Sequence, residues 1–538
     1  MRATARIAAL VTVTALVGVG LPAATAQEDS RAKAKGWQVG TLASGADVHA
    51  LGGRREFVHT DSQDGFRYFF TQGGSLRTAQ AGTSLRSQTL SEGAVGGVAT
   101  DDHVVAWYDG GADAVRVKAW AIEGGQGTAA TIEGETVAVP GSDQASGESR
   151  VAFDATSEVG LLAYSRSGAG GTEVVAHTTS TPSLIPAATA FGTATVVSAA
   201  EPGALSDVVV AAPAAGPVVV TRRTLPAGAA EVTVRAATTA GGVATWGTPA
   251  TVCEAAAGDV AACSDPKVAI DGAGNAHVFF RTAAGLSSVQ VSGAQVGAAA
   301  VLAPLPEHYA VAGAMSSASP LTLASYAGGT TTVQALTAGG ATSTVPTGQV
   351  TALDLAHTTR GPVLAWATAT DVRAATAAKG RWTTRTVSAQ PGVDEIGVTG
   401  GRSGSVWFAG PTSAGRTASY AEMDMKGPLS IFEGLVRAKR KGRVSYSYTV
   451  EDNWGVARSV IQVRKGASKQ SLGPWRKVAV VKHRGATAKR VKRVLRTKRG
   501  VVYCVRAKGI DRQGNVGRWS RRSGDDSGMF VSVCIRGK

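Results

Sequence analysis

Seven cations fall within the eleven residues "KRVKRVLRTKR": Lys489, Arg490, Lys492, Arg493, Arg496, Lys498 and Arg499, set around Val491, Val494 and Leu495. Such a run captures anions rather than making bonds. Each well-placed charge contributes about 1 kcal/mol at an anionic surface, so a cluster supports weak to moderate binding. No Asp or Glu occurs from Asn453 to Ile510, a span that holds 17 Lys and Arg. Charged and apolar residues alternate imperfectly in the run, so both faces of an extended strand, and the turn after it, must carry charge. The plain alternative is a solvated surface. Solubility alone does not require so one-sided a charge, and folding has to overcome the self-repulsion.

Bond-making chemistry has weaker candidates. Glycoside hydrolysis needs two carboxylates about 5 to 9.5 Å apart across a substrate. Asp61 with Asp64 and Asp101 with Asp102 are the closest pairs to that requirement, but both lie in expected turns, where acidic residues are common. The chain holds no G-x-S-x-G elbow, no H-E-x-x-H and no Walker loop. Its eight histidines show no pair at ligand spacing, and no two cysteines are spaced C-x2–4-C. The stretch "DGAGN", Asp271 to Asn275, followed by His277, looks at first like a cation cradle. The same D-x-x-G-N shape recurs at Asp511–Asn515, again between β-rich runs. Asp and Asn bond the local backbone and Gly supplies positive φ, which is turn chemistry. Calcium needs six to eight oxygens, more than one such turn offers. Both stretches read as bends, with His277 as a packing residue in the following strand. No catalytic residue, metal ligand or cofactor is assigned.

The elements that position the cations follow from composition. Arg2 and Arg6, an apolar run from Ile7 to Leu21 and the small residues of "PAATA" form a secretory signal spanning 1–26, cleaved after Ala26. No later stretch of 18 apolar residues is free of charge and proline, so no transmembrane segment is expected in the mature protein. In an exported chain four cysteines imply disulfides. Three connectivities are possible, and the spacing favours the local ones, Cys253 with Cys263 and Cys504 with Cys534. Residues 27–425 hold 24 Lys+Arg against 33 Asp+Glu, a net charge of −9, whereas 426–538 hold 29 against 6, a net of +23. That shift places a domain boundary near Lys426-Gly427-Pro428.

The first part repeats. "GGVATDDHVVAWYDGG", "SRVAFDATSEVGLLAYSR", "KVAIDGAGNAHVFFR" and "TALDLAHTTRGPVLAWATATD" each join two β-rich runs through a polar turn, and further β-rich runs follow. Units recur roughly every 40 to 60 residues, the spacing of four-stranded propeller blades. The expected fold is all-β, with a seven- or eight-bladed β-propeller over 27–425. The unit at 394–425 is incomplete, and "GWQVGTLAS" (36–44) resembles "GRWTTRTVS" (380–388), a run that follows the third strand of its unit. An N-terminal strand that completes the last blade would close the ring and cover an exposed edge.

These units resemble the degenerate propeller repeats of secreted actinobacterial proteins and, more distantly, sialidase-like propellers. The Asp-box S-x-D-x-G-x-x-W of sialidases is absent from every unit, and their arginine cluster and tyrosine–glutamate pair cannot be assigned. The resemblance therefore implies a fold and not an activity. Over 426–538, about seven β-rich runs indicate an immunoglobulin-like sandwich. "GVVYCVRAKGIDRQGNVGRWS" looks like the last hairpin of a bacterial fibronectin type III domain, with Tyr503 opening the penultimate strand and Trp519-Ser520 after the turn. That resemblance implies that Cys504 and Cys534 staple the last two strands. Trp454, Trp475 and Trp519 are expected to pack in the core or turns of this domain.

These features describe an exported, non-enzymatic binding protein, extracellular or associated with the cell envelope. Its propeller presents a ligand-binding face, and its basic domain attaches to an anionic envelope or matrix polymer, such as a polysaccharide. Export makes nucleic acid a poor physiological partner. The alternative is a carbohydrate-active hydrolase or lyase with its site on the propeller face. Paired carboxylates at the channel mouth would favour the enzyme.

Overall fold

The computed structural model describes residues 37–536 apart from 57–64, 81–85, 94, 102–103, 120–135, 143–149, 156–158, 180–190, 202, 214, 241–242, 260–261, 315–318, 338–339, 359–360, 379–380, 401–403, 414, 424–427, 438–441, 512–514, 518 and 523–532. The segment 1–26, expected to be a signal, and the side chains of Asp61, Asp64, Asp101 and Asp102 lie outside the described residues. Every regular element among the described residues is a β-strand.

Among the described residues, eight antiparallel sheets follow one another along the chain, over 48–91, 95–138, 151–201, 204–255, 264–303, 308–346, 352–388 and 395–423. Within each, strands pair in sequence order. The fourth and fifth sheets carry one extra short strand against the third. The first strands of successive sheets touch in order, from Val48–Glu56 round to Glu395–Thr399, and the last of them touches the first again. A closed ring of radiating sheets is the arrangement of a β-propeller.

The second strand of each sheet explains the apolar runs. Its residues alternate between two faces, and both faces are covered by neighbouring sheets. In Gly65–Gln72, Tyr68 and Phe70 pack toward the last sheet while Phe69 packs with Trp107 of the second. In Val104–Asp109 this leaves five consecutive buried residues. Each junction between neighbouring sheets has its own apolar layer, so the core is a set of wedges rather than one centre.

The ring is closed from its N-terminal end. Trp37–Gly45 lies antiparallel to Gly415–Met423, from Trp37 opposite Met423 to Gly45 opposite Arg416, and becomes the outer strand of the last sheet. Arg381–Ser388, the run it resembles, is the outer strand of the sheet before.

Beyond residue 428 the pairing changes character. Leu429–Arg437 pairs with the first half of a long strand, Arg443–Gly466, whose same half pairs with the second half of Arg476–Arg496. After Gly455 the partners are the first half of Arg476–Arg496 and the strand Val502–Asp511, which in turn carries Val533–Arg536. Gly455 has φ +87°, and a Cβ there would lie 2.4 Å from the Gly485 carbonyl oxygen, so only glycine permits both strands to bend together here. Phe432, Tyr448, Ile461, Val491 and Val505, drawn from the four longer of these strands, share one core. Inside it the Ser459 hydroxyl bonds Tyr448 Oη at 2.6 Å and His483 Nε2 at 2.8 Å. The Lys498 amide donates to the Tyr503 hydroxyl at 3.0 Å, tying the turn to the start of the next strand. Both local disulfides are formed: Cys253–Cys263, and Cys504–Cys534 between directly opposed residues.

Candidate functional site

The seven clustered cations occupy the second half of Arg476–Arg496 and the turn that follows it. Register decides where each points. Arg490, Lys492 and Arg496 stand opposite Thr449, Ser447 and Arg443, on the face turned away from the core. Lys489 and Arg493 stand opposite Val450 and Tyr446, which are buried, so they lie on the core side. Both are nonetheless exposed, because among the described residues this strand pairs only with Arg443–Gly466, which leaves its other edge open. Long side chains reach around such an edge to water. Lys498 and Arg499 extend the array into the turn. The seven therefore form a cationic rim around one strand edge, not a flat patch.

Only Arg490 of the seven has an ion pair among the described residues. Its guanidinium meets the Glu433 carboxylate at 2.6 Å, and that carboxylate also accepts from the Thr449 hydroxyl at 2.6 Å. The Thr449 hydroxyl, aided by Arg490 and Ser447, holds the Glu433 carboxyl below the usual carboxylate range. Arg490 is largely exposed, so the pair contributes at most about 1 kcal/mol to stability. Charges on both faces also keep an open edge from pairing with another sheet, a structural use of the same residues.

A second basic array was not legible in the run itself. Arg464, Trp475, Arg506, Trp519 and Lys508 stack in alternation, with cation-to-ring distances of 4.7, 4.2, 3.9 and 4.6 Å. Arg506 lies between two indoles and donates to Gln462 Oε1 from Nε and Nη2, at 3.0 and 2.6 Å. Burial, reinforced by the charge of Arg464, pushes its guanidinium below the ordinary value. Of the expected packing in the core or turns, Trp475 and Trp519 take the second: both are partly exposed, outside the regular strands and outside the core. The reason is that cations cover their rings and replace apolar neighbours. Each ring has cations stacked on it, leaving poor platforms for a sugar. The alternation of Gln462 with Arg464 and of Arg506 with Lys508 was the available signal. The side chain of Trp454 is outside the described residues.

On the ring, strand starts gather charge. Tyr309, opening one sheet, reaches the Asp265 carbonyl at the opening of the previous one. Asp265 is paired with Lys267 at 3.3 Å and Arg281 at 3.6 Å. At the closure, Arg416 grips Asp394 through two nitrogens at 3.0 and 2.7 Å, bonds Glu395 at 3.0 Å and donates to the Val48 carbonyl at 3.1 Å. His49 Nδ1 lies 2.6 Å from the same Glu395. These carboxylates are neutralised by cations rather than held as a facing acid and base. Asp101 ends its strand, and its expected partner Asp102 is outside the described residues.

The D-x-x-G-N stretches are bends. Asp271 Oδ1 accepts from the amides of Ala273 and Asn275, both at 2.9 Å, and Gly274 has φ +83°. Asp511 Oδ1 accepts from the Asn515 amide at 2.8 Å in the same way. His277 is more than packing, since its Nε2 meets Asp271 Oδ2 at 2.9 Å. Burial opposes the Asp271 charge, but donors from Asn275, His277 and Ala273 outweigh it and hold the carboxyl low.

No family model and no curated protein matches the chain. Among solved structures, Trypanosoma rangeli sialidase in complex with sialic acid is 9% identical over 93% of this chain and 92% of its own, with a TM-score of 0.33. The Dos1 propeller is 9% identical over 73% of this chain and 95% of its own, TM-score 0.37. A Lactobacillus plantarum protein is 13% identical over 64% and 98%, TM-score 0.32. Superpositions this loose transfer no site; strand order and the ring of touching first strands carry the architecture.

Proposed function

We propose that this is an exported, non-enzymatic binding protein that attaches to anionic cell-envelope or matrix polymers through its basic C-terminal domain. Six exposed cations on one strand edge and its turn, with no ion pair among the described residues, carry this reading. The ring, read as an eight-bladed propeller over 27–425, presents the ligand face. Residues 426–538 form a fibronectin type III-like sandwich on this reading, supported by the paired bend of two long strands and the Tyr503 corner. The leader and two disulfides support export.

The test is binding of the whole mature chain to teichoic-acid-type and acidic polysaccharide polymers at rising salt. Screening over about 8 Å at physiological ionic strength leaves only close contacts effective, so affinity should fall steeply. Reversing Lys489, Arg490, Lys492 and Arg493 to Glu should abolish binding while circular dichroism stays unchanged. Binding that ignores both salt and reversal would return the cations to a solvated surface.

A further inference from the structure

We infer that a linear polyanion lies lengthwise along the open edge of the strand half bearing Lys489 to Arg496, gripped from both sides, with Glu433 competing for Arg490. This rests on the binding role just proposed and specifies how the same site reads its ligand.

Three observations define the geometry. Among the described residues, strand Arg476–Arg496 has a pairing partner on one side only, and its Lys489, Arg490, Lys492, Arg493 and Arg496 side chains are exposed. Lys489 and Arg493 emerge on the core side of that edge, while Lys492 and Arg496 emerge on the outer side. At about 3.3 Å per residue, like-sided cations are about 13 Å apart, and the array from Lys489 to Arg496 runs about 23 Å. A polymer crossing the outer sheet face would meet Arg490, Lys492 and Arg496 beside the Glu433 carboxylate. One following the edge meets cations on both flanks and keeps most of its length away from Glu433.

Glu433 then acts as an internal rival. It holds Arg490 through contacts at 2.6 and 2.7 Å. A bound polyanion must share or displace it, which lowers affinity and excludes weakly charged chains.

The experiment uses the full mature chain and a 20-residue oligothymidylate as a linear phosphodiester ruler, with polygalacturonate as the carboxylate counterpart. For single strands the slope of log K against log salt is about −0.7 per neutralised charge. Six cations give a slope near −4, or roughly a 250-fold loss of affinity from 50 to 200 mM salt. Lys489→Gln with Arg493→Gln, and separately Lys492→Gln with Arg496→Gln, should each flatten the slope by about 1.4. Glu433→Gln should tighten binding and steepen the slope by about 0.7. Melting curves on each variant separate lost binding from lost folding. If only the outer pair matters, the polymer crosses the sheet face and the edge geometry is wrong while polymer attachment stands. No change on Glu433→Gln overturns the rival role. If neither pair matters, polymer attachment fails with it. Response to one ruler alone identifies the anion class.

Discussion

The Tyr68 hydroxyl donates to the Glu422 carboxylate at 3.0 Å across the seam where the last sheet meets the first. Tyr420 stacks on Tyr68 with ring centroids 4.8 Å apart, and Ser405 completes the polar group. Burial pushes the Glu422 carboxyl up to about 7, only partly offset by the Tyr68 hydrogen bond. The charged form is thus disfavoured in the folded protein, and stability should fall as pH rises from about 4.5 to about 7. Glu422→Gln should remove that slope and raise stability at pH 8 by up to about 3 kcal/mol. Urea unfolding at pH 5, 6, 7 and 8 checks it; parallel curves for both proteins would contradict the buried-acid account.

Closure by Trp37–Gly45 has a measurable consequence. A chain that begins after residue 45 leaves the Gly415–Met423 edge without a partner, and it should self-associate or unfold at lower temperature. Arg416→Ala, which keeps the strand but removes its grip on Asp394, Glu395 and Val48, should cost about 1 to 2 kcal/mol. Size exclusion and thermal melts measure both.

The two disulfides should differ in worth. The Cys504–Cys534 loop spans 30 residues and the Cys253–Cys263 loop 10. Loop-entropy scaling gives about 3.5 kcal/mol for the longer and about 2.5 for the shorter. Paired Cys→Ala variants, unfolded in urea, should reproduce that order.

Arg506→Ala should loosen the stack of Trp475 and Trp519. Two cation–π contacts contribute about 1 to 2 kcal/mol together, and the indole emission should shift to the red as water enters. Neutral sugars should leave the emission of the native protein unchanged; a saturable quench would show that the rings are free to stack.

The sequence was informative where signals are local. Alternation and turn residues marked the strands because pleat and φ preferences act within a few residues. The D-x-x-G-N shape announced a bend because its donors and acceptors lie four residues apart. The similarity of 36–44 to 380–388 announced ring closure, because both runs fill the same outer-strand position. The stacking of Trp475 and Trp519 was not legible, because the cations that cover them, Arg464, Arg506 and Lys508, come from strands distant in the chain.

Charge asymmetry and a repeating all-β chain were determined by sequence alone, since each depends on composition or short-range spacing, whereas cysteine spacing only favoured the local pairs that the structure forms. Which cations share a face was decided only by tertiary structure. Shifting the register of Arg443–Gly466 against Arg476–Arg496 by one residue would exchange the sides of Lys489 and Arg490. The Tyr68–Glu422 contact joins residues 354 positions apart and exists only because the ring closes. Burial at that seam, which no neighbouring residue in the chain announces, is what raises the acid's pKa.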